Sequence, residues 1–233
     1  MRAAILDTLN GERAARRATI LVTDIADGAQ RLVREAEIAG DPLAEVLTKQ
    51  LAAGKSGLVD IGGRQVFLTV QAPPVRLVVI GAVHISQAMA TMAAGLDLAL
   101  TVIDPRTAFA SPERFPGIEL VAEWPDAALG RSVPPLDRYC ALAALTHDPK
   151  IDDPALKAAL AAECFYVGAL GSRKTHAARV ARLAEAGFSP DQIGRIRAPI
   201  GLAIGAVSPA EIALSVLAEV VASLRRVARP EVA

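Results

Sequence analysis

Little in this sequence is aromatic, sulfur-bearing or unbalanced in charge. Of 233 residues only 3% are Phe, Trp or Tyr, and 25 basic side chains face 25 acidic ones. A nucleic-acid binder wants a basic excess and aromatic platforms for bases, so no nucleic-acid partner is expected. Two cysteines, Cys140 and Cys164, are too few for a disulfide framework or a four-ligand zinc site. No apolar run reaches the roughly 18 residues of a membrane span. The opening Met1-Arg2-Ala3-Ala4-Ile5-Leu6-Asp7 meets an acid before an apolar core develops, which argues against a signal peptide. The expectation is a cytoplasmic protein, with no membrane partner, that binds a small molecule or another protein.

Apolar residues are plentiful, at 52%. At about 150 residues per domain the length suggests one main domain with a small companion. The double proline in Gln71-Ala72-Pro73-Pro74 resists helix and central strand alike and reads as a linker. This divides the chain into a small N-terminal α+β domain, 1–72, and a larger domain, 73–233. In the first part, 19–23 reads as a strand and Asp41-Pro42 as the capped start of a helix striped by Leu43, Leu47 and Leu51. Residues 58–61 and 65–70 flank Gly62-Gly63 as a hairpin.

Beyond the linker, buried-strand runs at 77–80, 98–103, 118–121, 139–145 and 164–170 alternate with helical stretches. The helices include 154–162, 173–186 and one opened by the capping box Ser208-Pro209-Ala210-Glu211, with Leu214, Leu217, Val221 and Leu224 as its stripe. Such alternation predicts an α/β fold with a Rossmann-like parallel sheet.

Polar residues gather where four of these strands end. They are Gly81-Ala82-Val83-His84, Asp104-Pro105-Arg106, Thr146-His147-Asp148 and Gly171-Ser172-Arg173-Lys174-Thr175-His176. The crevice beyond the carboxyl ends of a parallel sheet is the usual ligand site, and all three histidines lie at or just past such ends. The first turn matches a dinucleotide fingerprint with Val83 and Ser86 in place of its second and third glycines, and Asp104 stands where a ribose-binding acid belongs. Two alternatives stay open here, a scaffold that does not bind NAD(P) in the usual way and an NAD(P)-dependent oxidoreductase using His84 or His147 in proton transfer. Arg173 and Lys174 fall in the first turn of a helix, where the dipole disfavours cations by about 0.3–1 kcal/mol each. They fit either an anion site completed by Ser172 and backbone N–H groups or a solvated basic face continued by Arg179 and Arg182. His147-Asp148 is either a ligand contact or a plain helix cap, and Asp152 and Asp153 read as caps of the helix that Pro154 begins. Cys140, Cys164, Met89 and Met92 read as core.

Several motifs, taken in order, resemble the XdhC/CoxI family of accessory factors for xanthine dehydrogenase and related molybdenum hydroxylases. They are Leu77-Val78-Val79-Ile80-Gly81-Ala82-Val83-His84, Val102-Ile103-Asp104-Pro105-Arg106, Ala110-Ser111-Pro112-Glu113-Arg114-Phe115-Pro116, Leu145-Thr146-His147-Asp148-Pro149-Lys150, Gly168-Ala169-Leu170-Gly171-Ser172-Arg173-Lys174-Thr175-His176, Ala198-Pro199-Ile200-Gly201-Leu202 and Ser208-Pro209-Ala210-Glu211-Ile212-Ala213. The resemblance implies a short, divergent member. Such a factor binds molybdenum cofactor as cargo, aids its sulfuration by a cysteine desulfurase and delivers it to a molybdenum hydroxylase such as xanthine dehydrogenase, without turnover of its own. Val83 departs from the family's Gly-Ala-Gly-His pattern, and no Gly-Gly-Cys-Glu motif occurs. A homodimer is compatible with the apolar content. A purely interacting protein with an empty crevice is the third reading.

Overall fold

The computed structural model describes residues 3–227. They form two compact units, one built from the chain up to Pro73 and the other from Pro74–Leu224.

The first unit is an antiparallel sheet of β1 (Thr19–Asp24), β2 (Gln30–Arg34), β3 (Gly57–Ile61) and β4 (Arg64–Gln71), in the order β2-β1-β4-β3. β3 and β4 form the expected hairpin, with Ile61 opposite Arg64. Gly62 and Gly63 both have positive φ, +62° and +86°, the two-residue turn whose twist matches paired strands. Helix α1 covers Ala3–Ala14 and α2 covers Ala44–Ala53. Leu47 of α2 is fully buried with Ile20, Val22, Val66 and Leu68, and Leu43 and Leu51 pack beside it, as their spacing predicted. Asp41 does not cap α2. Its Oδ1 accepts the Leu43 N–H at 2.8 Å in a turn before the helix, and the carboxylate pairs with Arg31. A cavity of about 350 Å³ opens in this unit between Val22, Pro42, Leu43, Ile61 and Val66.

The second unit is a six-stranded parallel sheet made of β5 (Arg76–Ile80), β6 (Ala99–Ile103), β7 (Glu119–Val121), β8 (Cys140–Ala144), β9 (Tyr166–Ala169) and β10 (Ile196–Arg197). Their order is β10-β9-β8-β5-β6-β7. The chain winds outward from β5 in one direction, then returns to β8 and winds outward in the other. The order therefore reverses between β5 and β8, which is where a doubly wound sheet opens its crevice.

The alternation along β5 explains its unbroken apolar run. Leu77 and Val79 face a core shared with α3 (His84–Ala93) and α8 (Pro209–Val227), through Met89, Val216, Leu217 and Val220. Val78 and Ile80 face the opposite core, with Ile151 and Leu156 of α5 (Pro149–Ala161) and Leu183 of α6 (Arg173–Glu185). A strand covered on both faces has no polar side to show.

Two helix readings change. α5 begins at Pro149, with Asp148 as the cap that accepts the Lys150 N–H at 2.9 Å, so Pro154 lies inside the helix rather than at its start. On α8 the capping box forms as predicted, the Ser208 N–H donating to Glu211 Oε2 at 2.9 Å and the Glu211 N–H to Ser208 Oγ at 3.3 Å. Its buried stripe, however, is Ala213, Val216, Leu217 and Val220, while Leu214 is 53% exposed. α8 is tied to β9 by Tyr166, whose hydroxyl donates to Glu219 Oε2 at 2.7 Å; that oxygen also accepts the Gly201 N–H at 2.8 Å. Two further helices, α4 (Pro125–Ala128) and α7 (Pro190–Gly194), lie between β7 and β8 and between β9 and β10. Cys140 and Cys164 are fully buried.

Candidate functional site

The turn after β5 keeps only the first of the usual glycines. Gly81 has φ +112°, and a Cβ there would lie 2.8 Å from Thr146 Cγ2. This glycine is required by conformation and by the close approach of the β8 turn. Ser86 is fully buried where a third glycine would stand. Its hydroxyl accepts the Val83 N–H at 2.8 Å and lies 2.7 Å from the Gly81 carbonyl, so a side chain closes the turn. Val83 is half-buried and His84, at the first position of α3, is exposed.

Asp104 ends β6 and is fully buried. Its Oδ2 accepts the Ala82 N–H at 2.8 Å and Arg106 Nη2 at 2.7 Å, and its Oδ1 accepts the Arg106 N–H and Nε, each at 2.9 Å. Burial alone would raise this carboxyl, but the Arg106 guanidinium and the two backbone N–H groups outweigh it and hold the group below the ordinary Asp value. Both oxygens are therefore engaged in fastening β6 to the β5 turn. A free acid aimed at a ribose is not what the residue presents. Arg114 adds a second fastening, with Nη1 donating to the Ala82 carbonyl at 3.0 Å and Nη2 to Gln87 Oε1 at 2.8 Å.

At the end of β8, Thr146 Oγ1 donates to Asp152 Oδ1 at 2.7 Å and the His147 N–H donates to Asp152 Oδ2 at 3.1 Å. Asp152 thus shapes the turn from inside α5 and does not cap the helix. Burial pushes its carboxyl above the ordinary range against these bonds. His147 has φ +64°, so its backbone is held in the left-handed region, and the side chains of His147 and Asp148 are exposed. Arg106 feels the charges of Asp148 and Asp152. The turns after β5, β6 and β8 therefore meet at one rim.

The turn after β9 joins them through α5 and α6. Ser172 caps α6 by accepting the Thr175 N–H at 3.2 Å. Arg173 and Lys174 are exposed and have no ion pair among the described residues. Their basic face does not continue into solvent at Arg179, which is 2% exposed. Arg179 Nη2 donates to the Leu170 carbonyl at 3.0 Å, while its Nε and Nη1 have no partner. Arg182 pairs with Asp153 at 2.5 Å, so Asp153 too is a tertiary contact rather than a cap. His176 has a buried Nδ1 without a partner, and burial followed by the Arg179 charge lowers its pKa.

The structure thus gathers Gly81, Ala82, Asp104, Arg106, His147 and Asp148 directly. Gly171, Ser172, Arg173, Lys174 and His176 lie on the adjacent turn, whose Leu170 N–H donates to the Ala144 carbonyl at 2.8 Å. Sequence reasoning missed Arg114, Asp152 and Arg179 as builders of this rim. Arg114 sits in a quoted motif, yet its spacing from the β5 turn carries no local signal. No group of three or more metal-ligating side chains occurs among the described residues, and no described helix is long and apolar enough to cross a membrane.

Sheet order and rim define a doubly wound α/β protein of the Rossmann class. Residues 77–220 match the XdhC Rossmann domain family, and the chain belongs to that family. YqeB, an uncharacterized protein of Escherichia coli K12, is 35% identical over 163 residues, covering 68% of this chain and 29% of its own. The E. coli molybdenum cofactor insertion chaperone PaoD is 46% identical over 90 residues, 39% of this chain and 28% of its own. A Bacillus subtilis protein named as a probable xanthine dehydrogenase subunit is 31% identical over 157 residues, 67% and 45% respectively. The chain spans less than half the length of each of these relatives. The crystal structure of a xanthine dehydrogenase from Bacillus halodurans superimposes with a TM-score of 0.64 over 95% of this chain and 64% of that one; at 21% identity this shows shared fold.

Proposed function

We propose that this chain is a carrier of molybdenum cofactor that serves the maturation of a xanthine dehydrogenase-type molybdoenzyme. The cofactor's pterin carries a phosphate, and a rim that presents cations suits it. The observation that carries the reading is the α6 entry. Arg173 and Lys174 stand exposed, without acidic partners among the described residues, where the helix dipole opposes them. An anion bound there would offset that cost and accept backbone N–H groups as well. In this reading the β5, β6 and β8 turns with Gly81, Ala82, Val83, His84, Asp104, Arg106, His147 and Asp148 form the floor. Gly171, Ser172, Arg173, Lys174 and His176 form the anion side. The name of PaoD supports a role in maturation, and that of the B. subtilis relative points to xanthine dehydrogenase. A cysteine desulfurase supplies sulfur to the carried cofactor, and the molybdoenzyme receives it.

NAD(P) fits less well. Val83 replaces the glycine that lets a pyrophosphate approach the backbone in the dinucleotide fingerprint, and the Asp104 oxygens are already taken. The test is retention of isolated molybdenum cofactor through gel filtration, read as pterin fluorescence and molybdenum content. The wild-type chain is expected to hold about one equivalent and Lys174→Glu several-fold less, whereas NAD(H) and NADP(H) should give no calorimetric signal. Equal retention by K174E would remove the anion site from the reading, and no retention by wild type would remove the reading itself.

A further inference from the structure

The loop after β6 carries an aromatic ring to the same rim and leaves it partly exposed. The N–H groups of Phe109 and Ala110 both donate to the Arg106 carbonyl, at 2.9 and 3.0 Å, so the chain doubles back after Arg106. This sets the Arg106 guanidinium 4.5 Å from the centroid of the Phe109 ring, and Arg114 lies 5.8 Å from it. Neither arginine is free to wander. Arg106 is fixed to Asp104, and Arg114 donates to the carbonyls of Ala82 and Phe109, at 3.0 and 2.8 Å. The loop is anchored beside the ring by Ala110 and Phe115, both buried, yet Phe109 remains 42% exposed. In a chain this poor in aromatics, a phenyl group has been held at the sheet's carboxyl edge by two cations and not packed into the core.

An aromatic ring that carries guanidinium groups over it and keeps part of its surface exposed is suited to a planar ring whose substituents are anionic. It lies on the β6 side of the crevice, the half that receives the nucleoside end of a ligand in a doubly wound sheet. We propose that Phe109 stacks the heteroaromatic ring of a phosphorylated ligand bound at this rim. The inference rests on the cofactor reading above and deepens it, because it divides the site into a ring side at Phe109 and an anion side at α6. Two rings share the required chemistry, the pterin itself and the base of a nucleotide attached to it.

The experiment compares wild type with F109A, F109L and F109W, using isolated molybdenum cofactor, cytidine monophosphate and inorganic pyrophosphate as probes. Thermal midpoints check that each variant is folded. F109A should weaken the ring-bearing probe about tenfold or more, which is about 1.4 kcal/mol at 25 °C. F109W should restore affinity where F109L does not, since stacking and not apolar bulk is at stake, and pyrophosphate affinity should be unchanged. A loss confined to cytidine monophosphate assigns the ring to a base, and a loss with the pterin assigns it to the cofactor. If wild type binds either ring and F109A binds it equally well, the stacking inference is overturned while the cofactor reading stands. If wild type binds cytidine monophosphate through Phe109 but no pterin, the cofactor reading falls alone. If it binds neither, both fall.

Discussion

Asp104→Asn isolates the fastening that holds the rim together. The amide oxygen can still accept the Ala82 N–H, but the amide nitrogen then faces Arg106 with donor against donor. The bonds from Arg106 Nε and the Arg106 backbone N–H, each at 2.9 Å, are lost from a group that is fully buried, while the retained oxygen still accepts Arg106 Nη2. Bonds to charged groups are worth about 1.5–3 kcal/mol each. Arg106 is 36% exposed and can turn to water, so solvent screening discounts each bond to about 1–1.5 kcal/mol. The expected loss is about 2–3 kcal/mol, or roughly 4–12 °C in the midpoint for a chain of this size. The sign with pH follows from the depressed carboxyl. The folded-state pKa lies below the ordinary 3.8, so the stabilisation is complete at neutral pH and is lost as pH falls through the folded value. Urea midpoints of wild type and D104N should differ by a constant amount from pH 7 down to the ordinary Asp range and converge below it. A midpoint change under about 1 °C by this scaling, or a difference that grows on acidification, would refute the reasoning.

Other substitutions probe neighbouring contacts. Gly81→Ala places a Cβ 2.8 Å from Thr146 at φ +112°. It should cost about 1–3 kcal/mol in backbone strain and weaken cofactor retention, because the β8 turn must move; an unchanged midpoint in differential scanning fluorimetry would contradict this. Tyr166→Phe removes one donor from Glu219 while the Gly201 N–H remains. A loss of about 1–2 kcal/mol in urea unfolding, with cofactor retention intact, is expected.

Most of the parallel sheet was legible because strands covered on both faces must be apolar throughout, and no other short element demands that. β2 was not legible. In Gln30–Arg34 only Val33 is buried, and its apolar neighbour Leu32 is half-buried, so no alternation marks the strand. α1 lacks a stripe, since Leu9 and Glu12 are its only buried residues among those described. The start of α5 was misread because Asp148-Pro149 and Asp153-Pro154 show the same cap-and-proline pattern. What decides between them is tertiary, namely Asp152 reaching back to Thr146 and His147 from within the helix. The rim was legible as a set of strand ends, and the β5, β6 and β8 turns do meet. Its wiring was not, because the engagement of Asp104, the burial of Arg179 and the reach of Arg114 depend on residues far apart in the chain.

The two cysteines have a practical consequence. Both are sealed in the core on one face of the sheet, and burial drives the Cys164 thiol up to about 12 and raises that of Cys140 as well. A thiol kept protonated and out of reach does not meet a maleimide at neutral pH. A cysteine introduced on the exposed rim, at Thr107 for instance, would then be the one thiol a maleimide dye encounters in the native protein. Fluorescence from that label would report occupancy of the crevice with no need to strip the natural sulfur from the chain.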